Sequence, residues 1–524
     1  MDTYLEFDFE RILEQPPGTS EEPTEAREAF RLFYALFRAR SFREDPTLGQ
    51  SFIESVFEES VEQGEELEEE LTERVFDDVF LKLATGLYED WHEEEEGPPS
   101  EEVLNEIYNA TLRLLYRLLF LLYAEERDLL PVRDRKGYYR FSLTRLARDA
   151  REEVHDDYVL VEDNLWEDLT RLFGIINTGE PNLNVPTYNG HLFDVGTGDN
   201  AWLDRHTVPD EYLAPALVDL TLLNPDDPDS RGADYKALDV RQLGSIYEGL
   251  LEHRLRHADQ DLAVVKDNGT EVYTPLSDAE TPVEVVEQGM LYLETDASER
   301  KKTGSYYTPH YVVEYIVENT LEPILDERID QFEAAVGKIN EIATGRDPET
   351  PGVKAKLDKH RRRARDALLT IRVCDPAMGS GHFLVHAVDY LTNQIGAAVL
   401  ERDLKINPIQ EHLDEIRGEI LDSLDEQGVQ LDDAEDRLDD FTLLKRLVMK
   451  RCIYGVDLNP MAVELAKLSL WLRSFTVGAP LSFLDHHLKP GNSLIGTTVD
   501  EVRDALEAEG GQFEVFGGPF AGLL

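Results

Sequence analysis

The chain has 524 residues, 41% of them hydrophobic, enough for two or more folded domains and too apolar for a disordered one. Its 108 acidic residues against 52 lysines and arginines give a formal charge of −56, a surface that on charge alone repels DNA and anionic membranes. The acids are spread along the whole chain, which predicts a cytoplasmic protein of a salt-accumulating halophile, because at molar salt the Debye length is about 3 Å and self-repulsion is screened.

Residues 1–90 read as amphipathic helices: Phe30, Phe33, Tyr34 and Phe37 recur at helical spacing, as do Phe52, Val56, Val75, Val79 and Leu83. His92–Ser100 (HEEEEGPPS) reads as an acidic linker. A strong helix follows over Glu102–Glu126, with Leu112, Leu115, Leu119 and Leu122 expected in a core. Its run Leu114–Ala124 is broken by Arg117 and too short to span a bilayer. Met1–Glu10 is acidic and lacks the apolar core of a signal peptide. Residues 176–200 read as loop, Leu243–Leu255 as a helix, and 261–275 as a hairpin around Asp267–Gly269. From Leu291 apolar strands alternate with helices, the pattern of an α/β domain with a largely parallel sheet, interrupted by charged helical insertions at 326–366 and 400–446. The chain thus divides into a mainly helical region, 1–290, and an α/β region, 291–524. Cys374 and Cys452, in apolar strand-like runs, are too few for a disulfide framework or a zinc site and are expected as buried free thiols.

Four segments of the second region carry chemistry. In IRVCDPAMGSGHFLVHAVDYLTNQI (Ile371–Ile395) a buried strand ends at Asp375, a turn with Gly379 and Gly381 follows, and a helix then buries Phe383, Leu384, Ala387, Val388 and Leu391. Ligands of doubly wound sheets sit at such strand ends, where glycine lets the backbone come close. In IYGVDLNPMAVELAKLSLWLRSF (Ile453–Phe475) a second strand ends at Asp457, placed for two ribose hydroxyls, and Asn459 and Pro460 suit the cap and first position of the next helix. In GSYYTPHYVVEYIVENTL (Gly304–Leu321) Thr308 suits a cap and Pro309 the first helical position, an end that favours a carboxylate. In LDHHLKPGNSLIG (Leu484–Gly496) Asn492 offers a donor and an acceptor to an adenine edge, while His486 and His487 read as loop residues and not metal ligands. Taken alone, the first also suits a glycine turn that merely joins strand to helix, the second an ordinary capped strand–helix turn, and the third a plain capped helix, the better account of that segment by itself. The first two in this order make the blander account much weaker.

YYTP, DPAMGSGHFL, GVDLNPMAVELAKLSLWL and GNSLIG, in that order, resemble the motifs of adenine-N6 DNA methyltransferases. They are most similar to the methylase portion of type II (subtype G) restriction–modification proteins and of BREX-type phage-defence proteins. Upstream, YRLLFLLYAEERDLLP, PTYNGHLFD and LGSIYEGLLEHRL resemble the helical region of the same proteins, so the likeness runs from about residue 50 onward. It implies a Rossmann-like domain that uses S-adenosyl-L-methionine, preceded by a mostly α-helical region. Tyr307, Thr308 and Pro309 would border the methionine moiety, and Asp375, Ala377, Gly379 and Gly381 would lie under it. Asp457 would hold the ribose, with Leu458 against the adenine ring and Asn492 at its amino edge. Met378 stands where many relatives carry cysteine, and Asn492 where aspartate is frequent.

The resemblance also implies double-stranded DNA as substrate and a base flipped out of the helix. The family holds that base with Asn-Pro-Pro-Tyr or Asn-Pro-Pro-Phe, which this sequence lacks. Gly517–Phe520 (GGPF) has no Asn, and Asn224-Pro225 and Asn459-Pro460 lack a second proline. No residue of the chain is therefore expected to be catalytic by itself, and a second polypeptide carrying that tetrapeptide and the target-recognition domain is a possible partner. No nuclease signature is evident. Two basic clusters, Arg300–Lys302 and Lys354–Arg365, suit phosphates, though the second reads more readily as a helix face paired with acids. The rival readings are a non-catalytic remnant or scaffold, a nicotinamide enzyme, and an RNA or protein methyltransferase. The single G-x-G and the YYTP segment argue against a nicotinamide enzyme.

Overall fold

In the computed structural model the helix expected at 102–126 spans Glu101–Glu126 (α3) and forms the axis of the first half of the molecule. Ser100 caps it, accepting the Val103 N–H, and Glu101 and Glu102 lie in its first turn, where carboxylates oppose the helix dipole. From Ala110 to Glu125 every residue is buried, so the helix is covered on all sides and not along one stripe. The structure describes residues 25–43, 50–56, 74–95, 97–133, 137–155, 165–188, 191–196, 200–225, 227, 230, 232–233, 235, 253–267, 270–279, 282–295, 308–344, 350–400, 404, 406–429, 437–474, 476, 478 and 484–494. Tyr307, Arg300–Lys302, residues 243–252 of the expected helix and Gly517–Phe520 lie outside them.

Against α3 pack α2 (Phe80–Glu94, entered by a π turn Val75–Val79) and α4 (Leu143–His155); α5 (Leu165–Thr178) and α6 (Asp210–Thr221) pack on these in turn, α5 against α4 and α6, and α6 against α2 and α4. Val75, Val79 and Leu83 are fully buried, as their spacing predicts. The stripe on α1 (Glu25–Phe37) is not: Phe30, Tyr34 and Phe37 are exposed, and Leu36 is the buried residue. Helix α2 runs to Glu94, so the expected linker from His92 shortens to the stretch before Ser100.

Three charged groups of α3 are buried: Arg113, Arg117 and Glu125. Arg117, 2% exposed, donates Nε–H to the Leu192 carbonyl (2.8 Å), lies 3.7 Å from Asp204, and stands over the Phe173 ring. Burial pulls its pKa down to about 10, so it remains a cation. Glu125, 4% exposed, accepts from the Tyr138 hydroxyl (2.8 Å), the Leu143 and Thr144 N–H groups (2.8 Å each) and the Thr144 hydroxyl (2.6 Å). It thereby caps α4 from a distance. Burial raises its pKa and these donors oppose the rise. Replacing Glu125 with Ala strands several buried donors, each costing about 1–3 kcal/mol. The variant is therefore expected to lose roughly 3–5 kcal/mol, read as a lowered denaturant midpoint; a loss under about 1 kcal/mol would contradict this assignment.

The described residues of 253–295 hold five short strands and one 3-10 turn. His253–Leu255, placed above in the tail of a helix, instead belongs to β1 (His253–His257), with Leu255, its one apolar residue, buried at the centre. β1 pairs antiparallel with β5 (Leu291–Thr295), Leu255 opposite Leu293. The hairpin expected at 261–275 is present as β2 (Leu262–Asp267) and β3 (Thr270–Pro275), with β4 (Glu284–Val286) on the other edge of β2.

The second half is built on α7 (His310–Ala343) and α8 (Pro351–Leu369), which pack side by side as the first charged insertion. A three-stranded parallel sheet follows in the order β6 (Val373–Asp375), β7 (Ile453–Asp457), β8 (Leu488–Pro490). Helix α9 (His382–Val399), the second insertion as α10 (Pro408–Glu426) and α11 (Asp440–Cys452), and α12 (Pro460–Arg473) form the crossovers. Asn407 caps α10 with Pro408 in its first turn, an Asn-Pro pair that the sequence reading passed over. Cys452 closes α11 and is buried, its thiol pushed up to about 12 by burial. Cys374, expected to be buried, is exposed: it is the middle residue of β6, and its side chain points to the opposite face from Val373 and Asp375. No described helix is long and apolar enough to cross a membrane.

Candidate cofactor-binding site

The carboxyl ends of the three parallel strands form one row. At the end of β6 the Asp375 carboxylate accepts the Ala377 N–H (3.0 Å), which turns the chain. The Met378 N–H then donates to the Val456 carbonyl of β7 (3.1 Å), and the Gly381 N–H returns to the Met378 carbonyl (2.8 Å). Gly379 and Gly381 adopt φ of +52° and +86°, which glycine alone takes without strain. A Cβ on Gly381 would come within 3.1 Å of the Ala466 Cβ, so glycine here also lets α9 settle against α12.

Asp457 closes the row. One of its oxygens accepts the Gly379 N–H and the other the Asn459 N–H, both at 2.9 Å. Asn459 caps α12 through the Met461 N–H, with Pro460 at the first position, as its sequence predicts. The Asp457 carbonyl accepts the Gly491 N–H (2.8 Å), which brings the segment after β8 alongside. Asn492 is exposed, and its side-chain oxygen accepts the Leu494 N–H (3.0 Å). The ledge above these strand ends is open: Ala377 is exposed and Leu458 is 57% exposed.

Asp375 and Asp457 end neighbouring strands. Burial raises the pKa of Asp375, its bond from Ala377 opposes the rise, and the charge of Asp457 adds to it. A cation placed over this pair would relieve the repulsion. An apolar ring would cover Leu458. The donor set therefore fits a nucleoside sulfonium such as S-adenosyl-L-methionine.

Thr308 is half-buried and Pro309 exposed. The cap position of α7 belongs to Pro309 and not to Thr308, and no side chain caps the helix there. The Pro309 carbonyl takes the first N–H groups, from Val312 (2.9 Å) and Val313 (3.2 Å), so the chain turns one residue later than the pattern suggests. This start of α7 lies against the start of α9: the His310 ring is 5.7 Å from that of His382 and 5.4 Å from that of His386. The sequence reading missed this imidazole group, although His382 and His386 stand one helical turn apart. Met378 is buried and points down onto Gly455, away from the ledge. In the helix start of α9, Leu384, Ala387, Val388 and Leu391 are buried as expected, and Phe383 is half-buried.

His486 and His487, read as loop, sit in a helical turn, Leu484–His487. The His487 ring bonds the Ile453 carbonyl (2.9 Å) and stacks on Tyr454, which explains the order. In the second basic cluster Arg361 pairs with Glu411 (2.9 Å) and Arg365 with Glu415 (3.5 Å), the acid-paired helix face. Lys356, Lys359, Arg362 and Arg363 remain exposed.

Residues 353–489 match the family model described as the MmeI DNA-methyltransferase domain. The stretch holds α8, the glycine turn, Asp375 and Asp457. In an alignment of 436 positions that covers 76% of this chain, it is 24% identical to a protein of Methanocaldococcus jannaschii described as a type II restriction enzyme and methyltransferase. It spans 28% of that protein's length. Among solved structures, the type IIL restriction–modification enzyme MmeI in complex with DNA is 16% identical, with a TM-score of 0.37, over 82% of this chain and 41% of MmeI.

Proposed function

We propose that the chain binds S-adenosyl-L-methionine on a Rossmann-like domain and serves site-specific adenine-N6 methylation of double-stranded DNA in restriction–modification or phage defence. The observation that carries this reading is the Asp457 carboxylate holding the Gly379 N–H at the head of two parallel strands, inside the stretch that matches a DNA-methyltransferase domain. The cofactor supplies the activated methyl group. Asp457 holds the glycine turn and presents its remaining lone pairs to ribose hydroxyls, with Leu458 against the adenine and Asn492 at its edge. Thr308, Pro309, Asp375, Ala377, Gly379 and Gly381 surround the methionine end; the motif that holds Thr308 and Pro309 also contains Tyr307. No Asn-Pro-Pro-Tyr or Asn-Pro-Pro-Phe stands among the 524 residues, so the chain by itself is expected to bind cofactor and to methylate nothing. A further segment or second polypeptide would complete the reaction.

Calorimetric titration of S-adenosyl-L-methionine into the chain at molar KCl tests the reading. Saturable binding supports it, and a folded chain that takes up no cofactor overturns it. The titration also has an expected pH dependence. The charged form of Asp375 attracts the cofactor, and its pKa is raised. Affinity should therefore fall as pH is lowered, starting above the range where an ordinary aspartate protonates. An Asp375→Asn chain should bind more weakly with that dependence flattened; an unchanged pH profile would remove Asp375 from the site.

A further inference from the structure

A cavity of about 510 Å³ opens between α3, the turn at Leu203–Arg205 and the first turn of α12, within the size range of small-molecule sites. Glu106, Asn109 and Arg113, spaced three and four residues apart, present one face of α3 to it. Arg113 is 8% exposed, and its guanidinium reaches Met461 Sδ at 3.7 Å, so the buried charge sits at the start of α12. Across the cavity stand Trp202, backed by the His206 ring at 4.0 Å, and Arg205, whose Nε–H donates to the Ala201 carbonyl (3.0 Å). Among the described residues no carboxylate forms an ion pair with Arg205.

The charge of this lining runs against that of the chain. With −56 overall, the cavity collects two guanidinium groups and the positive end of α12 against one carboxylate among the described residues, that of Glu106. Guanidinium groups recognise phosphate oxygens, and a tryptophan face takes any nucleobase by stacking. We propose that this cavity binds a nucleotide, with its phosphate on Arg113 and Arg205 and its base against Trp202. A free mononucleotide and a nucleotide unit of a strand share this chemistry. The inference does not rest on the methyl-transfer reading.

The test is calorimetry with the full chain, using dTMP, thymidine and a short oligo-dT; a pyrimidine is chosen so that the probe does not mimic the adenosine of the cofactor. A charge-assisted contact is worth about 1.5–3 kcal/mol, so dTMP should bind roughly tenfold or more tightly than thymidine. Arg205→Glu should weaken dTMP binding by about the same factor, with an unchanged melting temperature because the side chain is exposed. Arg113→Gln should weaken it too; if that variant fails to fold, Arg205→Glu decides. Oligo-dT that binds and shares the Arg205 dependence assigns the site to a strand, and dTMP alone assigns it to a free nucleotide. The proposal is overturned if thymidine binds as well as dTMP, if Arg205→Glu binds like the parent, or if S-adenosylhomocysteine displaces dTMP.

Discussion

An Asp457→Ala chain is expected to lose cofactor binding by roughly a hundredfold or more, because the substitution removes two functions at once. The Gly379 and Asn459 N–H groups, each 2.9 Å from the carboxylate, lose their acceptor, and each donor left unmade costs about 1–3 kcal/mol. The glycine turn and the start of α12 then loosen together. The carboxylate that would meet the ribose is gone as well. Asp457→Asn separates the two effects: its single amide oxygen can still hold one of the N–H groups, so melting should change little while affinity drops about tenfold. Calorimetry and thermal unfolding on the three chains decide the matter. If Asp457→Ala binds within about twofold of the parent, the row of strand ends is not the cofactor site.

The second large effect concerns Gly455, in the middle of β7. A Cβ there would stand 2.2 Å from Met378 Sδ, 2.9 Å from Leu384 Cδ1 and 3.1 Å from Leu488 Cδ2. Gly455→Val should therefore push Met378 out of its place and, with it, the turn that places Gly379. Overpacking of this kind costs about 1–3 kcal/mol, and valine lies at the upper end because its branches meet all three neighbours. Thermal unfolding should show the loss, and cofactor affinity should fall in parallel. The mechanism has its own check: Gly455→Ala combined with Met378→Ala should recover most of what Gly455→Ala loses. A double variant no better than the single one would mean that the strand, and not the methionine, sets the limit.

What could be read from the sequence follows from how local each interaction is. The turns at Asp375–Gly381 and Asp457–Pro460 each begin with bonds between residues two apart, and their residue types announced them, whereas the bonds from Gly379 to Asp457 and from Met378 to Val456 that tie one turn to the other strand are long-range and were not legible. The β2–β3 hairpin was legible for the same reason. Helix α3 was legible as a helix, but its burial on every side was not. Arg117 and Glu125 look like a solvent face until Leu192, Asp204, Tyr138 and Thr144 supply their partners. The spacing of Phe30, Tyr34 and Phe37 gave a helix and said nothing of what covers it. Thr308 and Pro309 are both acceptable at a cap position, and only the backbone distinguishes them. The nucleotide-sized cavity draws on residues near 109, 202 and 459, a juxtaposition that no spacing rule reports.

The same central helix bears on how the chain can be divided in the laboratory. Phe120 of α3 lies flat on Trp471 of α12, with ring centres 3.9 Å apart, and Tyr188 meets that indole edge-on at 6.2 Å. The two sequence regions thus share one aromatic seam. A recombinant fragment beginning at residue 291 would keep Trp471 and lose the rings that cover it, and is expected to be recovered as aggregate. Co-expression with the 1–290 fragment is the remedy, because the missing surface can then be supplied in trans. For anyone grafting the helical region of one relative onto the α/β region of another, the residues to match first are the ring at position 120 and the indole at position 471.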